Sequence, residues 1–392
     1  MKIAVINTYS GGSTGTIAAA IGRYAADKGH EVKLFYGRVK NDDAAWIFIG
    51  EKRLPQFLSN GLTYLTGKVG SFHVSSTKRL VRELKEFKPD VMHLHNIHGN
   101  YLNFKLLFDY LKGFEGKVII TLHDEFLLTG RCACTGCEKW RSGCCRCPAL
   151  GDYPHVLLDR SKKLHEDKIA MLKGIKHLTL VTPSHWLLGR VKESLIGELD
   201  CRCIHNGIFE PKEAEIDAAS LIDPKKINVL FAAYRWSLDK GAAIIEELAQ
   251  KIDAEKYNLI VAGIKDIDMK WFGAGCKTVG FLSSDKLFAL MKRVSLFASP
   301  TFKDNLPTVL IESLKAGTPA IAFDTGGCGE IIDDSCGAVL KVKTSAALLA
   351  AIENFDFARC TWKNCLEQAK EFSVEAMAGK YLSLYEGGPS EE

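Results

Sequence analysis

Two carboxyl groups and a predicted helix start lie close together in the stretch from Ser299 to Glu330. Asp304 falls in a polar loop after an apolar run, and Glu312 follows eight residues later, just over one turn into the helix. Backbone N–H groups at a helix N-terminus, aided by the helix dipole, bind anions. Both acids could therefore reach one ligand with its phosphates between them, although a loop acid and an unrelated surface acid fit equally well. The residues leading into this helix start are Asn305, Leu306, Pro307 and Thr308.

An arginine and a lysine form a second charged pair. Arg235 and Lys240 follow the apolar run 227–232 and stand five residues apart across a predicted turn. Arginine binds a diphosphate as a fork and lysine binds it as a point charge. Two fixed cations could neutralise a leaving diphosphate without a metal. A pair of this kind taken alone is usually a solvated turn.

A glycine-rich turn follows the first predicted strand and opens a helix. Its sequence is Gly11-Gly-Ser-Thr-Gly15, with Gly12 as the candidate for close backbone approach to phosphate or sugar oxygens. It is not Gly-x-Gly-x-x-Gly, and no Walker lysine follows. The dinucleotide-binding and P-loop classes are therefore excluded.

Histidines recur where predicted strands end. His93, His95 and His98 follow one strand, and His123 with Asp124 follows the next. A histidine at a strand end is more often a satisfied core residue than a catalyst. His123 is nevertheless the best placed, because its strand ends at the edge where ligands bind in such sheets.

Six of the thirteen cysteines fall within sixteen residues. Cys134-x2-Cys137 and Cys144-x2-Cys147 are paired at a spacing typical of a tetrahedral structural zinc site. The surrounding loop has few apolar residues, so a metal could supply its folding energy. The alternative is a set of reduced cysteines that pack the loop.

Short apolar runs separated by helical patterns predict two doubly wound α/β domains in tandem. The predicted strands are 2–7, 31–36, 91–94, 117–122, 178–182 and 201–204, then 227–232, 257–262, 276–279, 295–298 and 320–323. We expect Rossmann-like domains over 1–205 and 206–371, facing across a cleft, with the Cys-rich loop at 130–148. A helix and tail over 372–392 should pack back on the first domain.

The net charge of +4 hides an asymmetry between the two halves. Residues 1–205 carry 30 lysines and arginines against 20 acids, whereas 206–392 carry 21 against 27. The basic half suggests an anionic partner or a membrane rich in acidic lipid, and scattered surface lysines explain it as well. No basic run argues for nucleic acid. No apolar run approaches ~18 residues, so we expect a cytoplasmic protein. The basic first half leads us to expect peripheral contact at the inner face of the cell membrane.

Several of these segments resemble the signatures of the family 4 retaining glycosyltransferases, two-domain enzymes with the GT-B fold. Asp304 and Glu312 are similar to the acid-x7-acid signature, Glu330 ends the Gly-Gly-x-x-Glu that follows it, and Arg235 with Lys240 matches the Arg-x4-Lys-Gly element. The resemblance implies that Glu312 binds the ribose of a nucleotide and that Asp304 contacts the donor sugar. The chain departs from the pattern at Asp304, where many members carry Glu.

The resemblance also assigns roles to the first domain. It implies that Gly12 approaches the diphosphate or the acceptor and that His123 touches the donor sugar near the reacting carbon. His95 and Asn96 would shape the acceptor side. No metal is required for the chemistry, and any zinc is structural.

A bacterial surface-polysaccharide subgroup of this family, of the colanic-acid type, has a similar Cys-rich insertion. Its first cysteine matches Cys132, and an aromatic residue commonly stands at position 134. The resemblance therefore implies a zinc ligand set with Cys134 as the alternate for its first member. That set is Cys132, Cys137, Cys144 and Cys147.

The function implied is transfer of a sugar, with retention, from a UDP- or GDP-linked donor to a hydroxyl of a glycan or lipid-linked acceptor in bacterial polysaccharide biosynthesis. Two alternatives stay open. One is another nucleotide-sugar enzyme, such as a 2-epimerase or a phosphorylase. The other is a non-catalytic zinc-ribbon interaction protein.

Overall fold

A computed structural model describes residues 1–40, 43–133, 136–212, 214–263, 272 and 275–388. The chain divides into two compact units. The first comprises Met1–His205 and the chain from Met377 onward, and the second comprises Asn206–Ala376. No helix in the described ranges is long and apolar enough to cross a bilayer.

The first unit is built on a seven-stranded sheet in the order β3-β2-β1-β4-β5-β6-β7, with every pair parallel. The central strands are buried, as expected for a sheet covered by helices on both faces. The strand order reverses direction between β1 and β4, which is the switch point where ligands bind in such sheets. The strands are β1 Lys2–Asn7, β2 Glu31–Tyr36, β3 Trp46–Phe48, β4 Val91–Leu94, β5 Lys117–Thr121, β6 Leu178–Thr182 and β7 Cys201–Cys203.

Helices connect these strands and cover the sheet. Apolar side chains from several of these helices pack with those of the strands in a large core. The helices are α1 Gly12–Asp27, α2 Arg53–Thr66, α3 Val74–Phe87, α4 Phe104–Lys112, α5 Ser161–Lys173 and α6 His185–Lys192, with a 3-10 turn at Lys139–Arg141.

The second unit has a six-stranded parallel sheet in the order β10-β9-β8-β11-β12-β13. Its switch point lies between β8 and β11. Its strands are β8 Ile227–Ala232, β9 Tyr257–Ala262, β10 Lys277–Val279, β11 Leu296–Ser299, β12 Ala320–Phe323 and β13 Gly337–Leu340. Its helices are α7 Ala242–Ala249, α8 Ser284–Met291, α9 Thr308–Lys315, α10 Cys328–Ile331, α11 Ser345–Glu353 and α12 Trp362–Ala369, with 3-10 turns at Leu238–Lys240 and Lys370–Phe372. The two doubly wound α/β sheets predicted from the sequence are confirmed.

The last helix, α13 (Val374–Glu386), returns the chain to the first unit. The Tyr381 hydroxyl lies 2.8 Å from the Thr121 hydroxyl, and the Tyr385 hydroxyl lies 2.6 Å from Nδ1 of His93. These hydrogen bonds give partners to His93 on β4 and Thr121 on β5, whose side chains are buried in the sheet. Residues from Met377 onward belong to the first unit, five residues later than the boundary expected after 371.

Backbone contacts and burial explain where the second unit ends. The backbone at Ser373 pairs with Ile208, and the Phe372 side chain is buried in the core of the second unit. This stretch of chain is therefore held by the second unit until the first turn of α13.

Two short strands were not expected from the sequence. β3 has three residues, and β13 is half-buried over most of its length. Both lie at the edge of their sheet, and both are apolar runs too short for periodicity alone to identify them as strands. Helix α1 also begins at Gly12, four residues before the expected start, because the glycine-rich turn is itself wound into the first helical turn.

Candidate functional site

The loops that follow β8 and β11 form one surface at the switch point of the second unit. Gly241 has a φ of +80°, and an added Cβ would lie 2.3 Å from the carbonyl oxygen of Pro300. The Phe302 N–H donates to the Asp239 carbonyl at 2.8 Å. The segment with Arg235 and Lys240 is therefore packed directly against the loop that leads to α9.

Lys240 and Asp304 form an ion pair at the centre of this surface. The Lys240 ammonium lies 2.8 Å from Oδ2 of Asp304 and 3.3 Å from the carbonyl oxygen of Lys303. Oδ1 of Asp304 accepts a hydrogen bond from the N–H of Asn305 at 3.0 Å. The structure thus brings together Lys240, which was expected to bind a diphosphate, and Asp304, which the family resemblance assigned to a sugar.

A glycine turn shapes the loop that carries Asp304. Gly326 has a φ of +58°, and an added Cβ would lie 2.3 Å from the Asp304 carbonyl oxygen. The Gly327 N–H donates to the Asn305 carbonyl at 2.6 Å. Only a residue without a side chain fits at Gly326, which gives the Gly-Gly-x-x-Glu segment a structural role beside the acid loop.

Helix α9 begins directly after this loop. Within the described residues no side chain caps its first turn, and Pro307 stands at its N-cap. Leu306 and Pro307 are buried, while Thr308 is half-buried and leads the first turn. The backbone N–H groups and the dipole at this end favour an anion beside the Lys240 ammonium.

Glu312 is half-buried on the second turn of α9. Burial raises the pKa of its carboxyl group to about 7. Such a carboxyl exchanges its proton near neutral pH, and in its ionised form it accepts hydrogen bonds from two hydroxyl groups. Arg235 is exposed on the loop after β8.

A further cation near this surface was not found from the sequence. Nζ of Lys343 donates to the Thr325 hydroxyl at 2.8 Å, and that hydroxyl donates to the Thr301 carbonyl at 2.8 Å. Lys343 follows β13, so its position became visible only once that edge strand was known.

In the first unit, the glycine-rich turn lies at the carboxyl end of β1. Gly12 has a φ of +72°, and a Cβ added at Gly11 or Gly12 would meet no atom within 4 Å. A Cβ at Gly15 would instead lie 2.7 Å from the backbone carbon of Ser10. Gly15 therefore allows close packing of the turn, and Gly11 and Gly12 leave the backbone open to a ligand.

His95 and His123 share a hydrogen bond at the ends of β4 and β5. Nδ1 of His95 lies 2.9 Å from Nε2 of His123, and the two rings stack with centroids 5.2 Å apart. Burial lowers the pKa of His123 to about 4 and the pKa of His95 well below its usual value. Both rings are therefore neutral at physiological pH, and His123 offers hydrogen bonds rather than a charge.

The other two strand-end histidines have separate partners. His93 is fully buried, and its Nε2 lies 2.8 Å from the Thr121 hydroxyl, so it is a satisfied core residue. Nε2 of His98 lies 2.6 Å from the Asp124 carboxylate. Burial would raise the pKa of Asp124, but His98 and the Phe126 N–H together hold it below its usual value.

The Cys-rich loop is attached to the core of the first unit by Trp140. This side chain is fully buried, and the Arg190 guanidinium lies 4.5 Å from its ring centroid. Arg190 in turn pairs with the buried Glu125 at 2.5 Å. An apolar and ionic anchor therefore holds this loop in addition to its cysteines.

Four predicted zinc ligands lie in the described part of this loop. The Cys132 thiol contacts the Cys147 thiol, and burial together with that neighbour raises the pKa of Cys132 to about 12. The Gly130 N–H points at Sγ of Cys144 at 3.1 Å, and a guanidinium nitrogen of Arg131 lies 3.8 Å from Sγ of Cys147. N–H groups directed at sulfur suit thiolate ligands.

No described cysteine forms a disulfide. Burial is the main cause that raises the pKa of Cys144, and the nearby half-buried Cys137 raises it further. Cys134, the alternate ligand, lies outside the described residues.

A second group of metal-ligating side chains was not found from the sequence. Ligand atoms of His185, Cys203 and His205 lie within 4.8 Å of one another. His185 opens α6 and the other two end or follow β7, so this cluster lies at the same carboxyl edge of the sheet. Cys203 and His205 are close in sequence, but His185 lies on the preceding helix, so the spacing of the three residues did not indicate a site.

Comparisons with known proteins agree with this geometry. Residues 212–369 match the family described as Glycosyl transferases group 1. WcaC of Escherichia coli K12, whose name assigns it to colanic acid biosynthesis as a glycosyl transferase, is 26% identical over 320 residues, which cover 76% of each chain.

Two solved structures show the same fold over nearly the whole chain. Sucrose-phosphate synthase from Thermosynechococcus elongatus is 17% identical, with a TM-score of 0.72 and 98% of each chain covered. Anabaena HepE in complex with UDP and glucose is 13% identical, with a TM-score of 0.65 and coverage of 99% of this chain and 100% of that one. Residues 212–369 thus form a group 1 glycosyltransferase domain, and the chain that carries it is a glycosyltransferase with the two-domain GT-B fold.

Proposed function

We propose that this enzyme transfers a sugar, with retention, from a UDP- or GDP-linked donor to a hydroxyl of a glycan or lipid-linked acceptor in bacterial polysaccharide biosynthesis. The observation that carries the proposal is the meeting of Lys240, Asp304 and the start of α9 at the switch point of the second unit. The name of the similar E. coli protein supports the polysaccharide setting, and the bound UDP of Anabaena HepE supports a nucleotide donor.

The donor site assigned here uses charges from the second unit. The diphosphate would bind Lys240, Arg235 and the first turn of α9, with Asn305 and Leu306 forming the adjacent loop. The ribose hydroxyls would donate to Glu312. Fixed cations and a helix dipole stabilise the negative charge that develops on a leaving diphosphate.

The first unit would supply neutral groups. We assign the backbone at Gly12 to the diphosphate or the acceptor, and His123 to a hydrogen bond with the donor sugar. Because the Nε2 atom of His123 is shared with His95, the pair holds the ring in one orientation. Asp304 is assigned to the sugar as well. We place the enzyme in the cytoplasm, with peripheral contact at the inner face of the cell membrane.

The first test measures nucleotide binding by titration calorimetry with UDP and GDP. We expect one nucleotide to bind and the Lys240→Gln variant to bind it roughly tenfold to a hundredfold more weakly, because a charged hydrogen bond contributes about 1.5–3 kcal/mol. Lys256→Gln is the matched control, since Lys256 precedes β9 at the opposite edge of the sheet. Binding of neither nucleotide, or equal losses in both variants, would contradict the proposed donor site.

The second test follows the pH dependence of nucleotide affinity. The ribose should bind the ionised Glu312 carboxylate, so affinity should fall as the pH drops from 8 to 6 through the pKa of about 7. In Glu312→Gln this component should vanish and affinity at pH 8 should be lower. The difference between the pH profiles of the two proteins isolates the titration of the Glu312 carboxyl from that of the nucleotide phosphates, which both profiles share. Parallel pH profiles would remove Glu312 from the site.

The third test separates the two partners of the ion pair. Asp304→Asn should lower nucleotide release from the sugar-linked donor by roughly a hundredfold, the size of effect seen when a transition-state contact is lost. It should leave nucleotide affinity unchanged or higher, because it frees the Lys240 ammonium for the diphosphate. Unimpaired turnover would show that the sugar contact assigned to Asp304 is wrong.

We further propose a structural zinc in the Cys-rich loop, held by Cys132, Cys137, Cys144 and Cys147. The N–H groups directed at two of these sulfurs support thiolate ligands. Bound zinc would supply no chemistry to transfer and would hold the loop in place.

The fourth test is metal analysis of the purified protein by mass spectrometry. One zinc per chain is expected, and Cys147→Ser should lose it with a lower Tm. The exposed neighbour Cys145 provides the matched control, since Cys145→Ser should keep both metal and Tm. Cys134→Ser decides whether that residue replaces Cys132. Zinc-free native protein, or full zinc in Cys147→Ser, would contradict the assignment.

A further inference from the structure

Helix α2 presents an apolar stripe to the outside of the first unit. Its members recur at intervals of three and four residues, with one adjacent pair, so they share one face of the helix. Their side chains are between 46% and 74% exposed, with Phe57 the most exposed. The stripe consists of Leu54, Phe57, Leu58, Leu62 and Leu65.

The opposite face of α2 is polar and turns toward the protein. Thr63 is its buried residue, and Gln56 and Ser59 are half-buried. The Ser59 hydroxyl donates to the Glu51 carboxylate at 3.4 Å. A helix on the surface of a water-soluble domain ordinarily buries its apolar face and exposes its polar one. In α2 this arrangement is inverted, which indicates a surface that contacts something other than water.

A neighbouring segment extends the apolar surface. The Leu157 N–H donates to the Tyr64 carbonyl at 2.7 Å, which seats this segment at the end of α2. Leu157 and Leu158 are 56% and 49% exposed. Such a contiguous exposed apolar area marks a contact surface rather than scattered surface residues.

The surroundings of α2 are basic. The sequence contains no acidic residue between Glu51 and Glu83, and this stretch carries Lys52, Arg53, Lys68, Lys78, Arg79 and Arg82. Lys52 and Arg53 are exposed at the start of the helix, and Lys68 is exposed just beyond its end. An apolar stripe flanked at both ends by cations fits an interface of acyl chains beneath anionic headgroups.

We propose that α2 inserts its apolar stripe into the surface of a bilayer rich in acidic lipid, lying in the plane of the membrane. A second copy of the chain is disfavoured as the occupant, because a twofold contact would set this basic surface against itself. The inference deepens the proposed function, on which it rests for a membrane-linked acceptor, by naming the element that holds the enzyme at the membrane.

The test is flotation of the whole enzyme with vesicles that contain no acceptor and no donor. We expect binding to phosphatidylcholine vesicles with 30% phosphatidylglycerol and little binding to pure phosphatidylcholine. Phe57→Ser/Leu58→Ser should weaken binding at least roughly tenfold, since two apolar side chains then leave the bilayer. Lys52→Gln/Arg53→Gln should weaken it and reduce its salt dependence. Trp362→Ser, which removes a side chain of 59% exposure from the second unit, is the matched control and should bind as before.

Each result bears on the helix separately from the enzyme's chemistry. UDP or GDP affinity, measured on the same variants, should be unchanged, which also shows that they are folded. Unaltered vesicle binding in Phe57→Ser/Leu58→Ser would overturn the proposal, as would equal binding to neutral and anionic vesicles. A dimer in sedimentation that Phe57→Ser/Leu58→Ser converts to a monomer, without vesicle binding by either protein, would assign the stripe to a second copy instead. If the unmodified enzyme binds neither UDP nor GDP, the proposed function is contradicted. The vesicle result still decides whether α2 binds the membrane.

Discussion

Parallel strands deliver every loop that follows them to one edge of their sheet, and this constraint places almost all the polar groups described above. Lys240 and Asp304 are far apart in sequence, yet they lie 2.8 Å apart because β8 and β11 are neighbours. His95 and His123 meet in the same way after β4 and β5. In each unit the candidate site follows from strand order before any individual side chain is considered.

The carboxyl edges of the two sheets differ in the charge of their polar groups, and burial contributes to this difference. In the first unit it keeps His95 and His123 neutral, so this edge offers hydrogen bonds without a net charge. In the second unit Lys240 forms an ion pair with Asp304, and burial raises the pKa of Glu312 to about 7. Desolvation is the common cause of the shifts in the histidines and in Glu312. The histidines at the edge of the first unit are therefore neutral, whereas the edge of the second unit carries charged groups.

The sequence was sufficient for the central strands, because parallel strands buried on both faces appear as continuous apolar runs. For the motif residues of the second unit, types and spacing alone left alternatives open, and the resemblance to a known family singled these residues out; their roles stay predictions. The sequence did not reveal β13, and so it did not reveal Lys343, because the apolar run Gly337–Leu340 is only four residues long and begins with glycine and alanine, which are depleted in strands. It could not reveal the group formed by His185, Cys203 and His205, which depends on strand order. The orientation of α2 was hidden as well, since periodicity shows that a helix has an apolar face but not which way that face turns.

Helix α13 has a consequence for how the protein is made. Its tyrosines complete the hydrogen bonding of His93 and Thr121, yet the ribosome adds them only after the whole second unit. Until then Nδ1 of His93 and the Thr121 hydroxyl lack their tyrosine partners, and only the hydrogen bond between His93 and Thr121 can form. Domains usually fold in order of synthesis. In this chain the unit that emerges first is therefore completed only after the second unit has been synthesised.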